Sequence, residues 1–166
     1  QRTVRDNFEE IEGARVHIVS DASVHVRGRK TAGAWRIFHT PDKVRQVSMK
    51  LEHQSQAHSY RSENETFYYA LEDANRILKH PHHITQRMDC KAGLDSIEAE
   101  IYAPKQTMAT DMDVIAPYKK LREEVQHTVV TKWVMGHADE KKRIDQKRSR
   151  RWSGRMYTAM KLPKRR

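Results

Sequence analysis

Between Ala14 and Arg36 the chain reads ARVHIVSDASVHVRGRKTAGAWR, and this stretch constrains the fold more than any other. Val16 and Ile18 alternate with Arg15 and His17, the period of two that belongs to a half-buried strand. After Val19 the side chains turn small and polar through Ser20-Asp21-Ala22-Ser23, so the strand is expected to end on the carboxylate of Asp21. Arg27-Gly28-Arg29-Lys30 holds the glycine that a tight hairpin turn uses. Ala34-Trp35-Arg36-Ile37-Phe38 reads as the returning strand. A carboxylate where a strand gives way to a turn has a fixed backbone and faces outward, which suits a metal ligand. An ordinary turn aspartate carries the same signature, and both readings stand.

The same device recurs further on. Lys43–His53 alternates imperfectly and fits a third strand at the sheet's edge, guarded by lysines. Ser62 suits a helix N-cap, with Glu63 and Glu65 in the first turn, where the helix dipole favours acids. Phe67, Ala70, Leu71, Ala74 and Leu78 then recur at helical spacing, up to His80-Pro81. Ile84–Cys90 is a short strand that again finishes on an acid, Asp89. Helical patterns follow over Gly93–Ala103 and Asp111–Gln126, the second with Pro117 as a potential kink. Thr128–Gly136 is a strand rich in β-branched and aromatic residues, and Trp152–Leu162 a final short helix. Trp35 and Trp133, in strands, are expected in the core.

Three strands joined by short loops form an antiparallel meander, and strands that arrive after helices join in parallel by right-handed crossovers. The expected fold class is α/β. One domain is expected over residues 14–162, after a flexible lead-in at 1–13 and before a basic tail at 163–166. If the first and fourth strands are parallel neighbours, Asp21 and Asp89 share one rim of the sheet, and Glu63 reaches it from the helix above. Three hard oxygen ligands at one rim suit magnesium or manganese acting on phosphodiesters. His137, on the loop after the last strand, is placed to assist proton transfer.

Charge points the same way. Lys and Arg number 32 against 22 Asp and Glu, a formal net charge of +10 that favours polyanions, nucleic acid first. The single cysteine, Cys90, allows no disulfide within the chain, so an intracellular, reducing compartment is expected. No apolar run approaches the roughly 18 residues that a membrane-spanning helix needs, so no membrane insertion is expected. His80-Pro81-His82-His83 lacks the cysteine pair that would argue for zinc. A basic chain opening on Gln1 rather than Met suits a processed mitochondrial import product, a nuclear protein or a fragment of a longer chain.

The runs VSDAS, RSE opening a helix, MDCKAG ending a strand and KWVMGHADEKK together resemble the ribonuclease H domain, and most closely the ribonuclease H segments of retroelement reverse transcriptases. TDMDVIAPYKKL before the last strand supports that subtype, and the resemblance spans roughly Arg15–Met160. It implies a mixed five-stranded sheet of order 3-2-1-4-5 flanked by helices, divalent-metal chemistry and cleavage of RNA in an RNA–DNA hybrid. Asp21, Glu63 and Asp89 match the first three acidic ligands, with Glu65 as an alternative to Glu63, and His137 matches the family's loop histidine.

One departure matters. The family carries a fourth acid near the start of its final helix, and here no Asp or Glu follows Asp145. Asp139 and Asp145 lie in the charged loop before it. A missing ligand and an Arg- and Lys-rich end both work against a second cation, which points to impaired or lost catalysis. The leading expectation is a ribonuclease H-like domain of retroelement origin that binds RNA or a ribonucleoprotein as a subunit of a larger assembly. Arg27, Arg29, Lys30, Lys141, Lys142, Arg148, Arg150 and Arg151 would meet phosphates, and Trp152 would stack on a base. An active, metal-dependent nuclease and a protein-interaction scaffold are the alternatives.

Overall fold

The computed structural model describes residues 2–25, 30–51, 59–98 and 112–134. In chain order the elements are β1 (Arg2–Asp6), β2 (Val16–His25), β3 (Lys30–Phe38), β4 (Val44–Leu51), α1 (Ser59–Ile77), β5 (His83–Met88), α2 (Lys91–Glu98), α3 (Met112–Glu124) and β6 (Thr128–Trp133). Among the described residues six strands form one sheet, in the order β1-β4-β3-β2-β5-β6. The first four pair antiparallel, while β5 and β6 join in parallel after helices.

The mixed α/β sheet agrees with the sequence reading, and its five inner and later strands keep the expected order. The additional strand is β1. Residues 2–6 lie inside the expected flexible lead-in, yet they pair antiparallel with β4, from Arg2↔Met49 to Asp6↔Arg45. The segment Lys43–His53 is therefore not an edge strand. The rest of the lead-in is also held: Asn7 N donates to Val44 O at 3.0 Å, and Gly13, at φ 84°, turns the chain into β2. The expected domain limits at 162 and 163 fall outside the described residues.

The hydrophobic periodicity builds the core as anticipated. Phe67, Ala70, Leu71 and Ala74 of α1 are fully buried against Val16 and Ile18 of β2, Trp35 and Ile37 of β3 and Ile84 of β5. Burying side chains of this size removes water from apolar surface at about 25 cal/mol per Å². A second cluster joins Val19 and Phe38 to Val44 and Val134. Ser62 is not an N-cap: α1 already runs from Ser59, and the Ser62 carbonyl accepts a bond from Thr66 Oγ1 inside the helix. α3 includes Pro117 and is tied to α1 by a two-pronged bond from Arg61 to Asp113. No helix among the described residues is long and apolar enough to cross a membrane.

Candidate metal centre

Asp21 does not end its strand. β2 continues to His25 because its far half still pairs with β3. Only its near half, Val16 to Val19, also pairs with β5, so Asp21 lies just past the point where the neighbouring strand stops. In the β2–β5 ladder Val19 faces Arg87; two residues on from each, Asp21 and Asp89 stand level. The rim that the sequence places at two strand ends is thus the end of β5 beside the middle of β2.

Glu63 comes from α1, one turn before Thr66. Gly33 in β3 makes that approach close: a Cβ at position 33 would overlap the hydroxyl and methyl of Thr66. The absence of a side chain at this strand position therefore lets α1 settle onto the sheet and carries Glu63 down to the acids. Gly93 plays the same part between α2 and α1, where a Cβ would meet Asn64 Oδ1 at 2.8 Å. These two glycines are part of the site's construction. Their signal in the sequence is a glycine within a strand pattern and a glycine within a helix pattern, each of which marks close packing.

Together the three elements place one carboxylate oxygen each of Asp21, Glu63 and Asp89 within 4.8 Å of one another. Asp21 is 3% exposed and Glu63 6%, while Asp89 is half-buried. Glu63 Oε1 is buried and accepts no hydrogen bond among the described residues. Burial, and then the charges of Asp89 and Asp21, push the Glu63 carboxyl well above the usual carboxylate range. A hydrogen bond with Asp89 adds to this. Removing carboxylates from water and setting them together is costly, and an opposite charge relieves it. A donor set of carboxylate oxygens alone fits a hard divalent cation such as magnesium or manganese.

Glu65 is not part of the cluster. It lines a groove of about 250 Å³ between α1 and α3 with Arg61, Tyr68 and Asp113. Glu63 is therefore the glutamate of the site. Lys30 opens β3 opposite His25 and is exposed, rather than lying in the hairpin turn. Arg27, Arg29, His137, Lys141, Lys142, Arg148, Arg150, Arg151 and Trp152 lie outside the described residues, as do Asp139 and Asp145.

The two strand tryptophans part company. Trp35 is in the core at 1% exposure, with its indole N–H donated to Asp73 Oδ2 at 2.9 Å. Trp133 is not in the core: it is 45% exposed on β6, and its indole N–H donates to the backbone oxygen of Asp89 at 3.1 Å.

No protein-family profile matches the sequence, and no curated protein is detectably similar to it. Solved structures are similar. Ribonuclease H1 from the halophilic archaeon Halobacterium salinarum NRC-1 superposes with a TM-score of 0.56 at 15% identity, over 81% of this chain and all of that one. The N-terminal ribonuclease H domain of a Mycobacterium tuberculosis protein, solved as a fusion with maltose-binding protein, also gives 0.56, at 14% identity over 92% of this chain and 98% of that one. With a mixed sheet flanked by helices in the same arrangement, the chain has the ribonuclease H-like fold.

Proposed function

We propose that this domain is a divalent-metal-dependent ribonuclease H-type hydrolase that acts on the RNA strand of RNA–DNA hybrids. The observation that carries the proposal is the buried meeting of Asp21, Glu63 and Asp89, whose carboxylate oxygens lie within 4.8 Å of one another. A fold kept only for its surface gains nothing from three acids that raise one another's energy. The order of the sequence motifs supports a retroelement lineage for it.

In this reading the three carboxylates hold magnesium or manganese, which supplies Lewis acidity and an activated water at the scissile phosphate. Asp21 is presented from within β2, so its carboxylate would need little ordering on metal binding, whereas Asp89 follows the end of β5. Glu63 would be the third ligand, and a bound cation would favour its anionic form against the burial that opposes it. Lys30 and the basic stretches Arg27–Arg29 and Lys141–Arg151 supply the charge that binds phosphate backbones, a contact that weakens as salt rises. His137 is assigned the transfer of a proton to or from the leaving oxygen.

A second reading has its own observation: no Asp or Glu follows Asp145, so the family's fourth acid is missing. On that reading the fold is catalytically silent and binds RNA or a ribonucleoprotein as a subunit of an assembly. Hydrolysis of hybrid RNA with magnesium and then manganese, against Asp21→Asn, separates the two. Cleavage that depends on metal and disappears in Asp21→Asn establishes the hydrolase. Salt-sensitive binding without cleavage establishes the silent fold, and neither activity overturns both readings.

A further inference from the structure

We infer that Trp133 is a positioning residue for Asp89, an inference that rests on the metal-binding reading of the acid cluster. The β5–β6 ladder ends at the pair Met88↔Trp133. Beyond it, the chain must leave β5, present Asp89 and enter α2 at Lys91 within a few residues. Each carbonyl along this passage is held by a different donor. Val134 N donates to Met88 O at 2.9 Å, and Leu94 N donates to Cys90 O at 3.1 Å. Between them, Asp89 O accepts the indole N–H of Trp133 at 3.1 Å. The backbone of β6 thus holds Met88, and a side chain of β6 extends that hold by one residue to the acid itself.

The bond falls on the acid that most needs it. Asp21 and Glu63 are 3% and 6% exposed and are fixed by packing within a strand and a helix. Asp89 is half-buried in the passage between elements, where no ladder fixes it. Trp133 itself is 45% exposed, so burial does not account for a tryptophan at this edge-strand position. Its chemistry does. The indole N–H only donates, so it can anchor a carbonyl beside a cation without competing for that cation, as a histidine would. Partners one step removed from a metal ligand typically carry about 10–100-fold of its affinity.

The test is a calorimetric titration of manganese into the wild-type protein and into Trp133→Phe, which keeps a ring and deletes the N–H. The expected result is a manganese affinity weaker by about 10–100-fold in Trp133→Phe. The half-saturating metal in hybrid hydrolysis moves by the same factor, while KM for the hybrid at saturating metal stays unchanged. Equal manganese affinity in the two proteins overturns the inference and leaves the metal reading intact. A raised KM with unchanged metal affinity also overturns it, and assigns the exposed ring to stacking on a base instead. A wild-type protein that binds no manganese sinks the metal reading and this inference together. Should Trp133→Phe fail to fold, the indole N–H resonance of the labelled wild-type protein answers the question: it shifts on addition of magnesium if the two are coupled, and an unmoved resonance overturns the inference.

Discussion

Asp21 and Asp89 stand at one level of the sheet because each lies two residues beyond a cross-strand pair, Val19 and Arg87, in the parallel β2–β5 ladder. A one-residue slip in that ladder would turn every side chain of β5 to the other face and take Asp89 away from its partner. The site is therefore a property of strand register, and it tolerates change at its edges better than in the ladder.

The first prediction concerns the tension among the acids. The Glu63 carboxyl is held above its ordinary value by burial and by Asp89 and Asp21. For an acid shifted upward, the unfolded chain gives up its proton first. Stability therefore declines as pH rises from the ordinary value of 4.5 towards the folded one. Glu63→Gln is expected to raise the melting temperature of the metal-free protein at neutral pH, by about 2–4 °C for each kcal/mol relieved. The same variant should lose metal-dependent cleavage of hybrid RNA. Thermal melts with and without manganese check both halves: the ion should stabilise the wild type and leave Glu63→Gln nearly unmoved.

A second prediction concerns the segment ahead of β2. Glu10 accepts bonds from the amides of Lys79 and His80, each at 2.9 Å, and pairs with His82 Nε2 at 2.6 Å. Burial acts to raise its pKa, but these bonds outweigh it and pull the carboxyl down to about 2. For an acid shifted downward, the stability it contributes is complete above 4.5 and is lost as pH falls towards about 2. Glu10→Gln should cost roughly 1.5–3 kcal/mol at neutral pH and flatten the acid limb of the stability profile. Urea unfolding between pH 2 and 7 reads both effects.

Gly33→Ala is the third. The new methyl would overlap Thr66, so either α1 lifts from β3 or Thr66 gives way. A cost of about 1–3 kcal/mol is expected, with weaker manganese binding because Glu63 rides on the same helix. Adding Thr66→Ala removes the hydroxyl and methyl that clash and should recover part of both losses. A double-mutant cycle measures the coupling.

Asp73→Asn is the fourth. This side chain is fully buried and takes two bonds from Arg45, one from the Trp35 indole and one from Arg76. Replacing it removes the buried counter-charge of Arg45, which keeps its ion pair with the more exposed Asp6, at a cost of about 3 kcal/mol. Because α1 is joined to β3 and β4 through this residue, chemical denaturation should show one cooperative transition at lower denaturant.

The acids were legible because their neighbours are. Alternating Val16 and Ile18 and the helical run from Phe67 to Leu78 are each packed on one face, and one-sided burial leaves a period in the sequence, while β5, buried on both faces from Ile84 to Met88, shows only as a short segment that ends before Asp89. β1 left none, since all five of its residues are exposed, and besides backbone pairing its hold comes from the charged side chains of Arg2, over Trp35, and Asp6, on Arg45. Trp133 misled for a related reason. A strand rich in Val, Thr and Trp reads as core, but among the described residues β6 is the outermost strand on its side, and its residues are exposed or half-buried. Ser62 misled because capping residues and helix interiors share a composition when the helix begins one turn early.

The outermost position of β1 also sets how this domain can be carried. Any polypeptide joined ahead of Arg2 leaves from the border of the sheet, three strands from β2. At about 4.8 Å per strand that is about 14 Å from the acids, on the side away from β6. Across the ladders Arg2 stands level with Met49, Gly33 and Ala22, so a fused partner would leave beside the rim that carries Asp21, whereas stripping residues 2–6 would bare the backbone of β4 as a sticky seam between molecules.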